Sequence, residues 1–249
     1  MDLNSTVADI SNFLRLNPVD VEAKLKKGFI PLHHGVAEDF RAANPTNDDE
    51  LLEWYRGTEA YIWELSAYHL DPGFNYDGMI EGIAVHLQGL GKQKVLCLGD
   101  GVGDLSIRLK EKGLTPVYHD LKGGRTAEYA QSRFNGEIEV KLTDSWNPNF
   151  KASTYDAVVA LDFFEHLTEV EAWTKNVVAS LKVGGQFLAQ NAFAIGDDEH
   201  GGSIPMHLTR NNRFEQDWNP LLESLNMVDQ NNGWWVKQRA KRSTKDTNE

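Results

Sequence analysis

Residues 95–103 read Val95-Leu96-Cys97-Leu98-Gly99-Asp100-Gly101-Val102-Gly103. The apolar run favours a strand that is buried on both faces of a parallel sheet. The three glycines that follow let the backbone turn sharply and let a ligand approach without meeting a Cβ atom. A helix is predicted to begin directly after them, and its first N–H groups have no partner within the helix. The sequence therefore predicts a ligand-binding turn between a buried strand and a helix.

The residue after the third glycine separates two classes of cofactor. A dinucleotide-binding turn has its last glycine one position later, where this chain has Asp104. An aspartate at that position would repel a pyrophosphate. A cofactor without phosphate, which carries a sulfonium and an amino group, tolerates nearby acids such as Asp100 and Asp104. The pattern favours S-adenosylmethionine over a nicotinamide dinucleotide.

Two further predicted strands end in an acid. Asp120 ends the second strand, where a carboxylate accepts hydrogen bonds from both hydroxyls of a ribose. Asp144 ends the third strand, before Ser145, and is placed to accept a hydrogen bond from an adenine amino group. For either acid taken alone, a solvated strand end is the alternative interpretation.

The chain from residue 94 onward alternates strands with helices, which implies an α/β protein with a doubly wound, mostly parallel sheet. Five strands are predicted at 95–98, 116–120, 138–142, 155–161 and 186–190. Asn231-Asn232-Gly233 is a tight-turn signal between two short apolar runs, so a C-terminal antiparallel hairpin completes a seven-stranded sheet. Thr168 and Glu171 form a capping-box pattern for a helix that we expect to end at Gly184-Gly185.

Residues 1–90 are predicted to be mostly helical. Asn47 is a good helix start. Residues of the following stretch fall at steps of three and four, which indicates one helix face: Leu51, Tyr55, Thr58, Ile62, Leu65 and His69. On a neighbouring stripe, Trp54, Tyr61 and Tyr68 recur every seven residues. This stripe either packs against the main domain or forms a lid or substrate wall.

The motifs together resemble those of class I S-adenosylmethionine-dependent methyltransferases. The segments that carry the resemblance are 95–103, 117–121, 142–145, 155–167, 181–187 and the closing hairpin, within roughly 76–240. The resemblance implies a Rossmann-like methyltransferase fold, S-adenosyl-L-methionine as cofactor, and methyl transfer to an oxygen or nitrogen acceptor. The cofactor-binding residues that it implies are Gly99, Asp100, Gly101, Gly103, Asp120, Leu121, Asp144, Ser145 and Leu161. The family usually has an acid at the position of Cys97, which helps to hold the cofactor's amino group, and Asp100 is the alternative acid here.

The end of the fourth strand is the predicted catalytic position, because open α/β sheets bind ligands beyond the carboxyl ends of their strands. His166 has a suitable intrinsic pKa for a general base, and Glu165 either orients it or acts itself. Capping of the next helix by this pair is the alternative. Asp162, Glu165, His166 and the distant His207 are also candidate ligands of a divalent metal. Glu-His-Leu is common here in family members without metal, so we predict no metal.

Composition limits the partners. The 249 residues carry a net charge of −12, which disfavours nucleic acid, and the only basic run is 237–242. The acceptor is therefore expected to be a small molecule. No apolar run is long enough to span a bilayer, no signal peptide is evident, and Cys97 is the single cysteine, so we expect a cytoplasmic protein.

The expected organisation has three parts: a helical N-terminal extension at 1–75, a methyltransferase domain at 76–240, and a charged tail at 241–249. The glycine-containing segment 192–206 is predicted to be a loop over the site, which either gates the substrate or simply connects two elements. Two other functions stay open. One is a cofactor-binding regulatory protein of the same fold without turnover, and the other is a nicotinamide oxidoreductase.

Overall fold

The computed structural model describes residues 2–146, 148–193 and 204–239. These residues form one seven-stranded sheet with helices on both sides. The strands are β1 Lys94–Leu98, β2 Thr115–Leu121, β3 Glu139–Thr143, β4 Tyr155–Leu161, β5 Leu181–Gln190, β6 Met227–Asp229 and β7 Trp234–Lys237. The predicted tail at 241–249 and the middle of the predicted loop at 192–206 lie outside the described residues.

The strand order is β3-β2-β1-β4-β5-β7-β6. Strands β1 to β5 run parallel, and β7 pairs antiparallel with both β5 and β6. This confirms the predicted doubly wound sheet and its antiparallel hairpin. The strand order reverses between β1 and β4, and such a reversal opens a crevice at the carboxyl ends of the strands.

The helices are α1 Leu3–Leu14, α2 Pro18–Leu25, α3 Phe29–Ala43, α4 Asp48–Gly57, α5 Ala60–Leu70, α6 Tyr76–Gly89, α7 Asp104–Glu111, α8 Arg125–Arg133, α9 Val170–Ser180 and α10 Phe214–Ser224. Alternate residues of β1 face opposite sides of the sheet. Leu96 and Leu98 pack with Trp173 of α9, whereas Val95 and Cys97 pack against α6 and α7. Burial on both faces explains the unbroken apolar run of β1. No described helix has the length and apolar character that crossing a bilayer requires.

The N-terminal helices pack onto the glycine turn. Ile10 of α1, Val21 of α2 and Ile62 of α5 share one buried cluster with Val102 of the turn and Tyr129 of α8. Helices α1, α2 and α5 therefore pack against the glycine turn and α8. The domain boundary at residue 75 stays a prediction.

Two predicted helix boundaries were wrong in the N-terminal half of the chain and before β5. The stretch from Leu51 to His69 is not one helix face, because α4 ends at Gly57 and a second helix, α5, begins at Ala60. Thr58 between them is extended, and its Oγ1 accepts the Ala60 N–H at 3.1 Å. The predicted end of a helix at Gly184-Gly185 is also wrong. Helix α9 stops at Ser180, and β5 runs through these glycines.

The physical reason for the second error is a bulge in β5. Leu181 pairs with Tyr155, but the next paired residue of β5 is Gln186, opposite Ala157, so the extra residues must leave the ladder. Gly184 takes a φ of +76°, which other residues rarely adopt. The capping box is also absent: α9 starts after Glu169 without a side-chain cap, although Asn47 does cap α4 as predicted.

Candidate functional site

A cavity of about 780 Å³ lies at the carboxyl ends of the central strands. Its floor is formed by the ends of β1, β2, β3 and β4, and its wall by residues of α3, α4, α5 and α6. Its volume falls in the range of small-ligand pockets. Among the described lining residues there is no lysine or arginine.

The glycine turn forms one side of this cavity. Gly99, Gly101 and Gly103 have φ values of +65°, +54° and +85°. A Cβ atom on Gly99 would lie 2.1 Å from the ring of Phe163, and one on Gly101 would lie 2.5 Å from Leu65. A side chain is thus excluded at Gly99 and at Gly101 by both conformation and space.

Asp100 lies in the turn, and its carboxylate is engaged within the protein. Its oxygens accept the N–H groups of Leu105 at 3.1 Å and Ser106 at 2.8 Å, so it fixes the start of α7. Burial raises the pKa of Asp100 to about 7 despite these bonds. The carboxylate is therefore poorly placed to replace the acid that is missing at Cys97. Cys97 itself is fully buried in the core and does not line the cavity.

Asp120 lines the cavity at the end of β2. Its two oxygens accept the Gly101 N–H at 2.9 Å and the Leu121 N–H at 2.7 Å. The carboxylate is thereby tied to the glycine turn, with remaining lone pairs for hydroxyl groups. Burial raises the pKa of Asp120 to about 6, against the effect of the two N–H donors.

The other predicted cofactor residues divide into two groups. Leu121, Ser145 and Leu161 line the cavity. Asp144 does not: its side chain is exposed, and only its carbonyl oxygen is engaged, by Arg56 at 2.7 Å. Thr143, one residue earlier, lines the cavity and was missed, because the residue at which β3 ends was not predictable to within one position.

Asp104 points away from the cavity. Its carboxylate is buried and bonds His69 Nδ1 at 2.6 Å and Arg133 Nη2 at 2.7 Å. Burial raises the pKa of Asp104, but His69 and Arg133 outweigh it and lower the pKa to about 2. Asp104 was expected to repel a pyrophosphate and so to favour a cofactor without phosphate. That expectation was wrong, because Arg133 compensates the charge of Asp104 and the Asp104 side chain does not line the cavity.

His166 faces the cavity opposite the glycine turn. Its Nδ1 lies 3.0 Å from the Tyr55 hydroxyl and 3.3 Å from the Met206 carbonyl oxygen. Because a carbonyl oxygen only accepts, we assign the proton to Nδ1, which leaves the lone pair on Nε2. Burial, with a contribution from His207, lowers the pKa of His166 to about 3. The imidazole is therefore uncharged at pH 7. The prediction that His166 has a pKa close to 7 was wrong, because burial lowers the pKa.

Glu165 is buried beneath the cavity and does not line it. One oxygen accepts the Ala192 N–H at 2.9 Å, and its backbone carbonyl accepts Leu208 N–H and Asn211 Nδ2. Burial and the nearby Asp162 raise the pKa of Glu165 to about 8. Its carboxylate makes no hydrogen bond with His166, so Glu165 holds the segments around residues 192 and 208 rather than orienting the imidazole.

The candidate metal ligands meet only in part. Glu165, His166 and His207 each offer an atom within 4.8 Å of the others, and Asp162 is not in this group. Asp162 directly follows β4 and has a φ of +48°, which is uncommon for a residue other than glycine and typical of functional sites. It lines the cavity, where burial and the charge of Glu64 raise its pKa to about 6.

The aromatic wall was only partly anticipated. Tyr61 and Tyr68 of the predicted stripe line the cavity, but Trp54 lies in a core cluster and donates its Nε1–H to Asp39. Sequence reasoning missed Phe29 and Glu64, which also line the cavity. The seven-residue spacing pointed to the segment that forms α4 and α5, but did not show which of its side chains face the cavity.

The sheet order, the glycine turn and the acid at the end of β2 define the class I methyltransferase fold. Residues 96–189 match the family model described as "Methyltransferase domain". Over this segment the match confirms the resemblance to S-adenosylmethionine-dependent methyltransferases. No curated protein sequence matches the chain.

Several solved structures are similar over part of the chain. The amino pentose methyltransferase CalS10 of Micromonospora echinaspora, with S-adenosylmethionine bound, has 18% identity and a TM-score of 0.43, over 47% of this chain and 51% of that one. The sugar N-methyltransferase KedS8 of Streptoalloteichus has 17% identity and a TM-score of 0.42, over 48% and 51%. Phosphoethanolamine N-methyltransferase 2 of Haemonchus contortus has 19% identity and a TM-score of 0.45, over 55% and 34%.

Proposed function

We propose that this chain binds S-adenosylmethionine in the cavity and transfers its methyl group to an oxygen or nitrogen atom of a small molecule. The observation that carries the proposal is the hydrogen bond from Gly101 N–H to Asp120, at the edge of a cavity that extends to His166. This arrangement supports the proposal because Asp120, the glycine turn and His166 all line the same cavity. We expect the protein to work in the cytoplasm.

The residues present fit the cofactor. Asp120 has lone pairs left for the ribose hydroxyls, and Leu121, Thr143 and Ser145 surround the space beside it. Gly99 and Gly101 line the part of the cavity that we assign to the amino-acid end, and Asp162 presents a carboxylate to the same cavity. The bound cofactor supplies an electrophilic methyl group on a sulfonium. The protein's task is to align the acceptor with that carbon and to exclude water.

The cavity wall restricts the acceptor. Aromatic side chains of α3, α4 and α5 line it, namely Phe29, Tyr55, Tyr61 and Tyr68. Because no lysine or arginine is among the described lining residues, a free phosphate or carboxylate on the acceptor would lack a permanently charged partner there. We therefore propose an acceptor that is uncharged or cationic and has an apolar face.

His166 is the residue that we assign to the acceptor side. With its Nδ1–H directed to Met206 O, the Nε2 lone pair is available toward the cavity. It accepts a hydrogen bond from the O–H or N–H group that is methylated and orients that group. In the proposed reaction a bond forms between the acceptor atom and the methyl carbon as the carbon–sulfur bond breaks to give S-adenosylhomocysteine, and the acceptor proton passes to His166 Nε2 and from there to solvent. Glu165 acts indirectly by holding Ala192.

Calorimetry with S-adenosylhomocysteine and NADH tests the cofactor assignment. We expect one S-adenosylhomocysteine per chain and no heat from NADH. Turnover with a panel of phenols and amines then separates an enzyme from a regulatory protein of the same fold. Binding of NADH in place of S-adenosylhomocysteine would reject the proposal.

Replacing His166 with glutamine is expected to lower kcat for the acceptor by about 10² or more, since the loss of a positioned acid–base group costs that much. Cofactor affinity should not change, because His166 lies on the acceptor side. The measurement is steady-state kinetics together with calorimetry on the same preparation. Unchanged kcat in the variant would remove His166 from the reaction.

Cofactor affinity should depend on pH through Asp120. The ionised carboxylate accepts both ribose hydroxyl protons, and protonation below its pKa of about 6 removes acceptor sites. The Kd for S-adenosylhomocysteine should therefore rise about tenfold between pH 7 and pH 5. The Asp120→Asn variant should bind more weakly at pH 7 and show a flatter profile. Equal pH dependence in both proteins would contradict this assignment.

A further inference from the structure

The cluster of Glu165, His166 and His207 joins two distant parts of the chain. The first two residues lie in a short 3-10 turn after β4, and His207 lies in the segment that follows β5. One ligand atom of each lies within 4.8 Å of the others. We propose that these three side chains hold a divalent transition-metal cation at the acceptor end of the cavity.

The second observation is an unsatisfied carboxylate oxygen. Glu165 is fully buried, and while one oxygen accepts the Ala192 N–H, Oε2 has no hydrogen-bond partner within the described part of the chain. A buried polar atom without a partner costs free energy, and native proteins rarely leave one. A cation at the cluster satisfies this oxygen.

The orientation of His166 is that of a metal ligand. A histidine that binds a metal through one ring nitrogen usually donates the other N–H to a carbonyl or carboxylate, which fixes the ring and its tautomer. Here Nδ1 lies 3.0 Å from the Tyr55 hydroxyl and 3.3 Å from Met206 O, and with the proton assigned to Nδ1 the lone pair is on Nε2. The ring of His207 meets that of His166 nearly at right angles, with centroids 4.7 Å apart.

The charge of the surroundings favours a cation. Asp162 lines the cavity, Glu64 lines it as well but is paired with His33 Nδ1 at 2.5 Å, and none of the described lining residues is a lysine or arginine. Asp162 opens into the cavity outside the ligand cluster, so its charge adds attraction without occupying a coordination position.

The ligand set selects the kind of cation. Two imidazoles and one carboxylate suit zinc, iron, cobalt or manganese, whereas magnesium and calcium prefer oxygen ligands. Three protein ligands leave at least one position open, and His166 and His207 both line the cavity. This part rests on the proposed function: the open position would receive an acceptor oxygen and favour its deprotonated form. In the metal-loaded protein the cation replaces His166 Nε2 in contacting the acceptor.

Cobalt(II) titration of the full chain tests the site. The protein is treated with EDTA, freed of chelator, and titrated with Co²⁺ while visible absorption and heat are recorded. We expect one Co²⁺ per chain with d–d bands of a site that contains imidazole. His207→Ala should weaken Co²⁺ binding by at least about 100-fold, since even outer-shell changes reach that size. Glu165→Gln should also weaken it, while the amide oxygen still accepts the Ala192 N–H.

His86→Gln is the matched control. His86 stacks on Trp234 away from the cavity and should leave Co²⁺ binding unchanged. Calorimetry with S-adenosylhomocysteine checks that each variant is folded. If His207→Ala binds that ligand normally and Co²⁺ as tightly as the parent, or if the parent binds no Co²⁺, the metal site is wrong while the cofactor proposal stands. Failure of the parent to bind S-adenosylhomocysteine would reject the proposed function and leave the Co²⁺ result readable.

Discussion

Replacing Asp120 with alanine is expected to weaken S-adenosylhomocysteine binding by about 10²- to 10³-fold. Hydrogen bonds to a charged group contribute about 1.5–3 kcal/mol each, and the ribose would lose its carboxylate acceptor. The substitution also leaves the Gly101 and Leu121 N–H groups without their present acceptor, which loosens the glycine turn. Calorimetry at pH 7 measures the change in Kd.

Asp144→Ala is the matched control for that experiment. Asp144 is an acid at the end of the neighbouring strand β3, but its side chain is exposed and does not line the cavity. Its removal should change the Kd by less than about threefold, since exposed surface substitutions usually stay within ±0.5 kcal/mol. If both variants lost affinity equally, the adenosine would not lie where we place it.

Arg133→Ala should lower the free energy of unfolding by about 3–5 kcal/mol, because it leaves the buried Asp104 carboxylate without its guanidinium partner. Arg133 at the end of α8 bonds Asp104 at 2.7 Å, the Val102 carbonyl at 2.7 Å and Asp9 of α1 at 3.1 Å. One side chain thus ties α1, the glycine turn and α7 together. Denaturant unfolding at pH 7 measures the loss.

Arg108→Ala provides the comparison for Arg133. Arg108 pairs with Asp77 and Glu111, whose side chains are 58% and 56% exposed, and exposed ion pairs contribute about 0–1 kcal/mol. The two alanine variants therefore remove the same chemical group from a buried and from an exposed network. A difference between them of less than about 1 kcal/mol would show that the buried network does not support the turn.

The buried network also shows where sequence reasoning reached its limit. Asp104 was correctly singled out as an unusual residue at a helix start, but its role was misassigned. Its partners His69 and Arg133 lie 35 residues before it and 29 residues after it along the chain. No local pattern indicates that these three side chains meet. The same holds for the Tyr55–His166 contact, whose residues are separated by 111 positions.

Local rules succeeded where a short-range pattern has one physical solution. The glycine turn was predicted because three closely spaced glycines follow a buried strand. The structure gives the reason for two of them, since a Cβ atom on Gly99 would collide with Phe163 and one on Gly101 with Leu65. The C-terminal hairpin followed from Asn231-Asn232-Gly233, in which Asn231 and Gly233 take φ values of +58° and +85°. Local rules failed at Gly184-Gly185, because the bulge there depends on how β5 pairs with β4, and β4 is distant along the chain.

The alternation of strands and helices, the glycine turn and the carboxylate at the end of β2 were predicted from the sequence itself, since apolar periodicity, glycine and strand-end acids act over a few residues. The tertiary structure alone decided which side chains face the cavity. It turned Asp104 and Asp144 away, placed Glu165 beneath the floor, and brought His207 to His166. The reason is that the direction and ionisation of a side chain depend on the groups that surround it in space, and most of those come from distant parts of the chain.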